Sequence, residues 1–307
     1  MTNYSNRIAL TIDIEDWYHT PAITGSDFSF FKDVPTFMNE WKERYDYLTN
    51  PTKKILDLLD KLNQKATFFI VADTIDNYPR LIDNIVDQGH EIACHGLHHS
   101  TNIDTKTKKP MFSKMEFEDS TGRAREKLIS YTGQSIIGYR APGAYIGKWM
   151  FRSLIKLGFK YDSSINPNSF FKKTDFDTSK ISSRPYYIKV KGKKTRLIEL
   201  PWPFFKYRKL KFPTAGGPFL RFLPAQYIVK GLNSSLKRGN TVFYLHSIDI
   251  SDEKLPSIAS NNSRRPFYFA TKGSNTFTKL EKILYHFDKK WTTCSSIYKS
   301  INSIRSI

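Results

Sequence analysis

Cysteine is almost missing from this chain. Two occur in 307 residues, Cys94 and Cys294. That excludes a disulfide framework and leaves room for at most a single bridge. No run of about 18 apolar residues occurs, so no membrane span is expected. The opening Met1-Thr-Asn-Tyr-Ser-Asn-Arg7 lacks a basic segment followed by a long apolar one. No export signal is therefore read, and a cytoplasmic protein is expected. Internal repeats and low-complexity tracts are absent too. Acidic residues are scarce beside basic ones, 29 against 48, which gives a net charge of +19 and a pI near 9.7. Such a charge favours anionic partners. The lysines are scattered and form no long basic block, so a solvated surface is the simpler reading and nucleic acid is not expected. Peripheral contact with an anionic membrane stays open. The sequence is silent on oligomeric state.

Histidine is scarce but clustered. Of seven, four fall within ten residues: His90, His95, His98 and His99. His95 and His99 stand four apart, on one helical turn or in one tight loop, so their imidazoles can converge on one ion. Alone this pair is a weak signal. Its weight depends on what the rest of the chain brings beside it.

The hydrophobic pattern supplies that context. Strands are predicted at 7–13, 66–72, 90–94, 135–139 and 159–162. Helices are predicted from residue 51 (Ile55, Leu58, Leu59, Leu62), around Leu81–Val86 with Gly89 as its stop, and over 114–132 and 147–157. Alternation at this spacing is the pattern of parallel βα units, in an open sheet or a barrel. The rhythm breaks over 166–240, an irregular stretch with short strands near 186–190 and 195–200. A clean strand, Thr241–Leu245, ends in His246, and a last helix covers roughly 275–288. With 307 residues, one large α/β domain accommodates the whole chain, 166–240 being an insertion that shapes a groove.

In parallel folds, functional residues gather at the C-terminal ends of strands. Asp13, Glu15 and Asp16, the pair His95/His99, Arg140, Asp162 and His246 all sit at such ends. Three carboxylates in four residues repel one another unless a cation compensates. Two histidines and one carboxylate form a common catalytic metal set, with Zn²⁺ favoured and Co²⁺ or another divalent ion able to fill it. A second carboxylate then serves as base, Arg140 keeps that base ionised, and His246 protonates a leaving group. Metal-assisted hydrolysis of an amide or ester follows. Gly96 between the histidines excludes the helical His-Glu-x-x-His arrangement. Trp17, Tyr18, Tyr145 and Trp202 can stack on sugar rings or simply pack. Cys94 reads as a buried strand residue, His90 and Glu91 as structural, and His98 as facing away from the pair.

Five landmarks in order carry a family resemblance. They are Thr11-Ile-Asp-Ile-Glu-Asp16; Thr67-Phe-Phe-Ile-Val with Gly89-His-Glu-Ile92 and His95-Gly-Leu-His-His99; Tyr139-Arg-Ala-Pro-Gly143; Tyr161-Asp-Ser-Ser164; and Leu245-His246. Together they resemble the polysaccharide deacetylases of carbohydrate esterase family 4. The first landmark departs from that family's adjacent aspartates. It resembles a subgroup with an Asp-x-Glu-Asp-aromatic opening and a Gly-Gly extension like Ala215-Gly-Gly-Pro-Phe-Leu-Arg221. The resemblance implies a distorted (β/α) barrel of seven or eight strands with an irregular C-terminal extension. It implies Asp13 as base, Arg140 as its orienting group and His246 as acid. The metal ligands would be His95, His99 and Asp16, with Glu15 the alternative carboxylate. Trp17, Tyr145, Pro142 and Asp162 would contact substrate. The implied substrate is an N-acetylated sugar of a polysaccharide or its nucleotide- or lipid-linked precursor, in cell-surface glycan synthesis. Two rivals stand beside this: a hydrolase of a non-sugar C–N bond such as a cyclic amide, and a catalytically silent glycan-binding protein.

Overall fold

The computed structural model describes residues 6–20, 23–25, 29–43, 45–254, 256 and 271–303. Residues 1–5, part of the segment in which no export signal is read, lie outside that set.

Alternation along each strand sorts side chains between two surroundings. β1 (Ile8–Ile14) sends Ile8, Leu10, Ile12 and Ile14 into the main core under the helices, and Ala9 into a second cluster on the opposite face. β2 (Thr67–Ile70) divides likewise, Phe68 and Ile70 against Phe69. β3 (Glu91–Cys94) sets Ile92 and Cys94 against Ala93. The remaining strands are β4 (Gly138–Tyr139), β5 (Tyr161–Asp162), β6 (Tyr186–Val190), β7 (Lys193–Glu199), β8 (Phe204–Tyr207), β9 (Leu210–Pro213), β10 (Thr241–His246) and β11 (Trp291–Thr292). One nine-stranded sheet runs in the order β10-β1-β2-β3-β4-β5-β7-β6, with β11 also paired to β1. Every pairing is parallel except β6 with β7. The sheet curls into a half-barrel, in keeping with the expected distorted barrel. β8 and β9 form a separate antiparallel hairpin.

The helices are α1 (Val34–Glu40), α2 (Thr49–Lys61), α3 (Thr74–Asn77), α4 (Pro79–Asp87), α5 (Lys114–Thr132), α6 (Met150–Lys156), α7 (Gly217–Phe222), α8 (Ala225–Leu236), α9 (Ser274–His286) and α10 (Cys294–Ser303). α5 shows how local sequence sets their limits. Ser113 and Glu116 form a reciprocal capping box at its start, and Gly133, at φ 66°, closes it. The second half of the chain is more regular than its composition predicts. β7 extends the sheet from β5, and α8 packs Ile228 and Leu232 into the main core. α10 contributes Cys294 and Ile297 to the cluster that Ala9 and Phe69 share.

Register brings the strand ends into one row. Asp13 lies opposite His246 on one side and Phe69 on the other. Ile14 pairs with Ile70, Ile70 with Cys94, Cys94 with Tyr139, Tyr139 with Asp162, and Asp162 with Glu199. The residues just beyond this row therefore share one rim.

Candidate active site

The rim holds a pocket of about 810 Å³ of empty space, lined among others by Asp13, Glu15, His95, His99, Arg140 and His246. β1 stays paired through Ile14, so its alternation carries on to Glu15, and Asp13 and Glu15 point the same way. His95 follows β3 directly. His99 sits in a loop, not on a helix. Gly96 and His99 both take positive φ, 85° and 55°. A left-handed conformation at a non-glycine residue is strained, and here it turns the second imidazole back onto the first.

Both imidazoles are fixed from behind. His95 Nδ1–H donates to Arg140 O at 2.8 Å, and His99 Nδ1–H donates to His19 O at 2.9 Å. Each Nε2 then faces inward. Glu15 Oε1 stands 2.7 Å from His95 Nε2 and 2.9 Å from His99 Nε2. Two ring nitrogens and a carboxylate this close must have a cation among them, either a proton shared with Glu15 or a metal ion. Burial alone would raise the Glu15 carboxyl, but His99, His246 and His95 outweigh it and hold it well below its ordinary range. Two imidazole nitrogens and one carboxylate oxygen, all within 4.8 Å of one another, fit Zn²⁺ or a similar divalent ion.

Asp13 is 2% exposed and held by a buried cation. Arg140 Nη1 donates to Asp13 Oδ1 at 2.5 Å, while its Nε and Nη2 donate to Ser163 O and Oγ. The guanidinium is flanked by the faces of Phe69, Tyr244 and Trp202, with Phe69 closest at 4.0 Å to the ring centre. Asp13 Oδ2 is left facing the pocket, 4.0 Å from His95 Nε2 and 3.9 Å from His246 Nε2. His246 Nδ1 is 3.2 Å from Asp249 Oδ2, so its Nε2 points inward, 3.6 Å from Glu15 Oε1. Burial alone would depress His246, but Glu15 and Asp249 outweigh it and raise the imidazole to about 9. Asp249 is itself steadied by Arg221, whose Nε lies 3.2 Å from Oδ1.

The carboxylate favoured from sequence as a ligand is placed elsewhere. Asp16 caps the turn Trp17–His19, taking the Trp17 N–H at 2.8 Å, and its other oxygen accepts from Tyr78 O–H at 2.5 Å. Burial raises its carboxyl to about 7. Glu15, the alternative, is the carboxylate that meets the histidines. The reason is the extra paired residue of β1, which rotates Asp16 to the opposite side.

None of the four expected substrate contacts lines the pocket. Trp17 is 2% exposed and packs with Phe37, Trp41 and Tyr47. Asp162 is fully buried, accepts from Ser164 Oγ at 2.6 Å and supports the Ser163–Ser164 segment that grips Arg140. Pro142 is buried under Gly96, where its ring would sit 3.2 Å from an added Cβ. Tyr145 is half-buried, with the Lys108 and Lys173 ammoniums near its ring at 5.1 and 5.2 Å. Trp202 does line the pocket.

Lys173, Arg221, Tyr244 and Asp249 also line it and carry no sequence expectation of their own as site residues. Lys173 Nζ donates to Gly143 O at 2.7 Å, and burial lowers the ammonium to about 8. The Gly216-Gly217 pair was a usable signal. A Cβ on Gly217 would lie 2.2 Å from an Asp249 oxygen, and one on Gly216 2.1 Å from the Tyr244 hydroxyl. Only glycine lets α7 bring Arg221 that close. His19 also acts from outside the pocket. Its Nε2 lies 3.2 Å from Asp73, which also takes His98 Nδ1 at 3.1 Å, and its carbonyl aims His99. Burial would raise Asp73, but His19 and His98 bring it down to about 2.

Comparisons with known proteins meet this geometry. Residues 36–161 match the family described as polysaccharide deacetylase, and residues 163–299 match a domain of unknown function (DUF3473). A peptidoglycan deacetylase from Helicobacter pylori is 31% identical over 137 residues, 45% of this chain and 40% of that protein. The chain spans less than half the length of the curated relatives it matches first. A structure from Mycobacterium smegmatis, provisionally assigned as a polysaccharide deacetylase, superposes with a TM-score of 0.63 at 19% identity, covering 98% of this chain and 91% of that one. An allantoinase superposes at 0.56 with 15% identity, covering 95% and 89%. At such identities the superpositions establish the shared fold. What the family model and the curated relatives add is a polysaccharide deacetylase match confined to residues 36–161 and their neighbourhood.

Proposed function

We propose that this chain is a divalent-metal-dependent hydrolase that removes the acetyl group from an N-acetylated sugar of a cell-surface polysaccharide or its precursor. One observation carries the reading. Asp13, Glu15, His95, His99, Arg140 and His246, spread over more than 230 positions of sequence, converge on a single pocket. Glu15, His95 and His99 would hold the ion, Zn²⁺ in the first instance. When bound, it supplies Lewis acidity towards water and towards the acetamide carbonyl.

The chain's own groups do the rest. Asp13 Oδ2 accepts the proton of the attacking water, because Arg140 already occupies Oδ1 and leaves Oδ2 turned into the pocket. Arg140 is a positioning residue, locked by Ser163 and three aromatic faces. His246 Nε2, which faces into the pocket 3.6 Å from Glu15 Oε1, donates a proton to the departing amine. Asp249 and Arg221 fix its ring so that the donating nitrogen faces inward. Trp202 and Tyr244 give the pocket an apolar wall against which a sugar ring can lie.

The test is acetate release, with mass spectrometry of the product, across peptidoglycan fragments, acetylated oligosaccharides, nucleotide sugars and a cyclic amide. The protein would first be stripped of metal and then reloaded with Zn²⁺ or Co²⁺. Metal-dependent acetate release matched by free amine on a sugar supports the reading. Failure to take up metal, or hydrolysis of the cyclic amide alone, rejects it.

A further inference from the structure

The β8–β9 hairpin, Phe204-Phe-Lys-Tyr-Arg-Lys-Leu-Lys-Phe-Pro213, is amphipathic in an unusual way. Its register pairs Phe205 with Phe212 and Tyr207 with Leu210, so these four side chains share one face. The other face is docked. Phe204 and Pro213 are buried there, and Lys211 Nζ donates to the Ser179 and Ile181 carbonyls at 2.5 and 2.7 Å. The apolar face reaches solvent instead, with Tyr207 57% and Leu210 46% exposed. A second segment widens it. Ser169 N–H donates to Lys211 O at 3.0 Å, and the Phe170 ring lies 4.9 Å from that of Phe212. Phe170 and Phe171 are 50% and 52% exposed.

Cations stand at the tip of this patch. Arg208 and Lys209 are exposed at the turn itself. The carboxylates in the adjoining cleft, Asp175 and Asp177, are engaged by the Lys148 N–H and by Ser179. Exposed aromatic and leucine side chains interleaved with Lys and Arg suit the headgroup–acyl boundary of an anionic bilayer. The chain's net charge of +19 adds to that attraction. Self-association through the same face is the competing occupant, and the experiment below separates it from a lipid surface.

We propose that the β8–β9 hairpin, with Phe170 and Phe171, docks this protein peripherally on an anionic phospholipid surface. The patch adjoins the pocket. Phe171 lies 6.3 Å, ring to ring, from Phe219 of α7, the helix that carries Arg221, and Lys173 two residues on lines the pocket. Docking would hold the pocket mouth near membrane-anchored glycan. That consequence rests on the proposed deacetylation, whereas the docking does not.

The experiment is co-sedimentation of the full chain with vesicles of phosphatidylcholine alone or mixed with phosphatidylglycerol. Binding is expected to the mixed vesicles and not to the neutral ones. Arg208→Gln/Lys209→Gln should lower the partition coefficient about 30-fold, since each basic residue near such a surface contributes roughly fivefold. Tyr207→Ser/Leu210→Ser should lower it by more than about 10-fold, with an unchanged circular dichroism spectrum. No binding by the wild type, binding by either variant undiminished from the wild type, or a concentration-dependent dimer that Tyr207→Ser/Leu210→Ser dissociates would overturn the proposal. None of these outcomes depends on whether acetate is released.

Discussion

Glu15→Gln and Asp16→Asn separate two neighbouring carboxylates that the fold sends in opposite directions. The readout is the rise in thermal midpoint on adding Zn²⁺, which compares each variant with itself and so cancels any change in intrinsic stability. With free Zn²⁺ at about 1,000 times the dissociation constant, binding stabilises the wild type by ~4.1 kcal/mol. Unfolding a chain of 307 residues at ~2.1 cal/mol/K per residue carries an entropy of roughly 0.64 kcal/mol/K, so the expected rise is about 6 °C. Removing the charge of Glu15, whose Oε1 touches both imidazoles at 2.7 and 2.9 Å, weakens the site at least as much as losing a group that only orients a ligand. Losing an orienting group costs up to about 100-fold, and a direct ligand about that or more. At the same Zn²⁺ concentration the stabilisation then falls to ~1.4 kcal/mol and the rise to about 2 °C. Asp16→Asn should keep the full rise, because Asp16 faces Tyr78 and the Trp17 N–H, and asparagine can still cap that turn. The assay is a thermal melt with and without Zn²⁺, backed by metal content after dialysis. A lost rise in Asp16→Asn with a full rise in Glu15→Gln would refute the assignment of Glu15.

Three further perturbations test other parts of the reasoning. Asp13→Asn should reduce acetate release by about 10² to 10⁴-fold while leaving the Zn²⁺-induced rise intact, since Oδ2 acts on the proton and not on the ion. Arg140→Met leaves Asp13 buried and charged with no cation, which costs about 3–5 kcal/mol in urea unfolding, and Asp13→Asn in the same chain should recover part of it. A further loss in the double variant would show that Arg140 matters through packing alone. His90 supplies a pH test. Its Nδ1 accepts the Ala66 N–H, its Nε2 is buried without a partner, and burial lowers it to about 4. The folded chain thus resists charging a histidine that charges freely, near pH 6.5, once unfolded. The contribution is fully present above pH 6.5 and is lost as pH falls towards 4, by about 3 kcal/mol in all. His90→Gln keeps an acceptor for Ala66 and should flatten the wild-type-minus-variant difference over that window. An unchanged slope would mean His90 does not titrate there.

What the sequence makes legible here is decided by the range of each interaction. Asp13, His95, Arg140 and His246 each follow a short apolar strand, and parallel strands in register can only deliver their ends to one rim. Local pattern was enough to group them. Asp16 and Glu15 differ by one residue, and which one turns inward depends on whether β1 stays paired through Ile14. That is a property of β2, through Ile70, and cannot be seen in the Asp13–Asp16 stretch itself. Trp17 shares the same origin. It follows the carboxylates in sequence, but the turn that Asp16 caps swings it into a cluster with Phe37 and Trp41. α8 escaped notice because close packing silenced its pattern. Gly231 lies against Thr214, where a Cβ would come within 2.2 Å, so small residues stand where apolar ones would have marked the buried face. Arg221 and Asp249 illustrate the longest range. Nothing local joins a residue of α7 to one three places after His246. Only the Gly216-Gly217 pair hinted that the backbone there had to pass unusually close to something. What it passes is the carboxylate that orients the proposed acid. A glycine pair in an otherwise irregular stretch was therefore a better pointer to the site than the aromatic residues beside it.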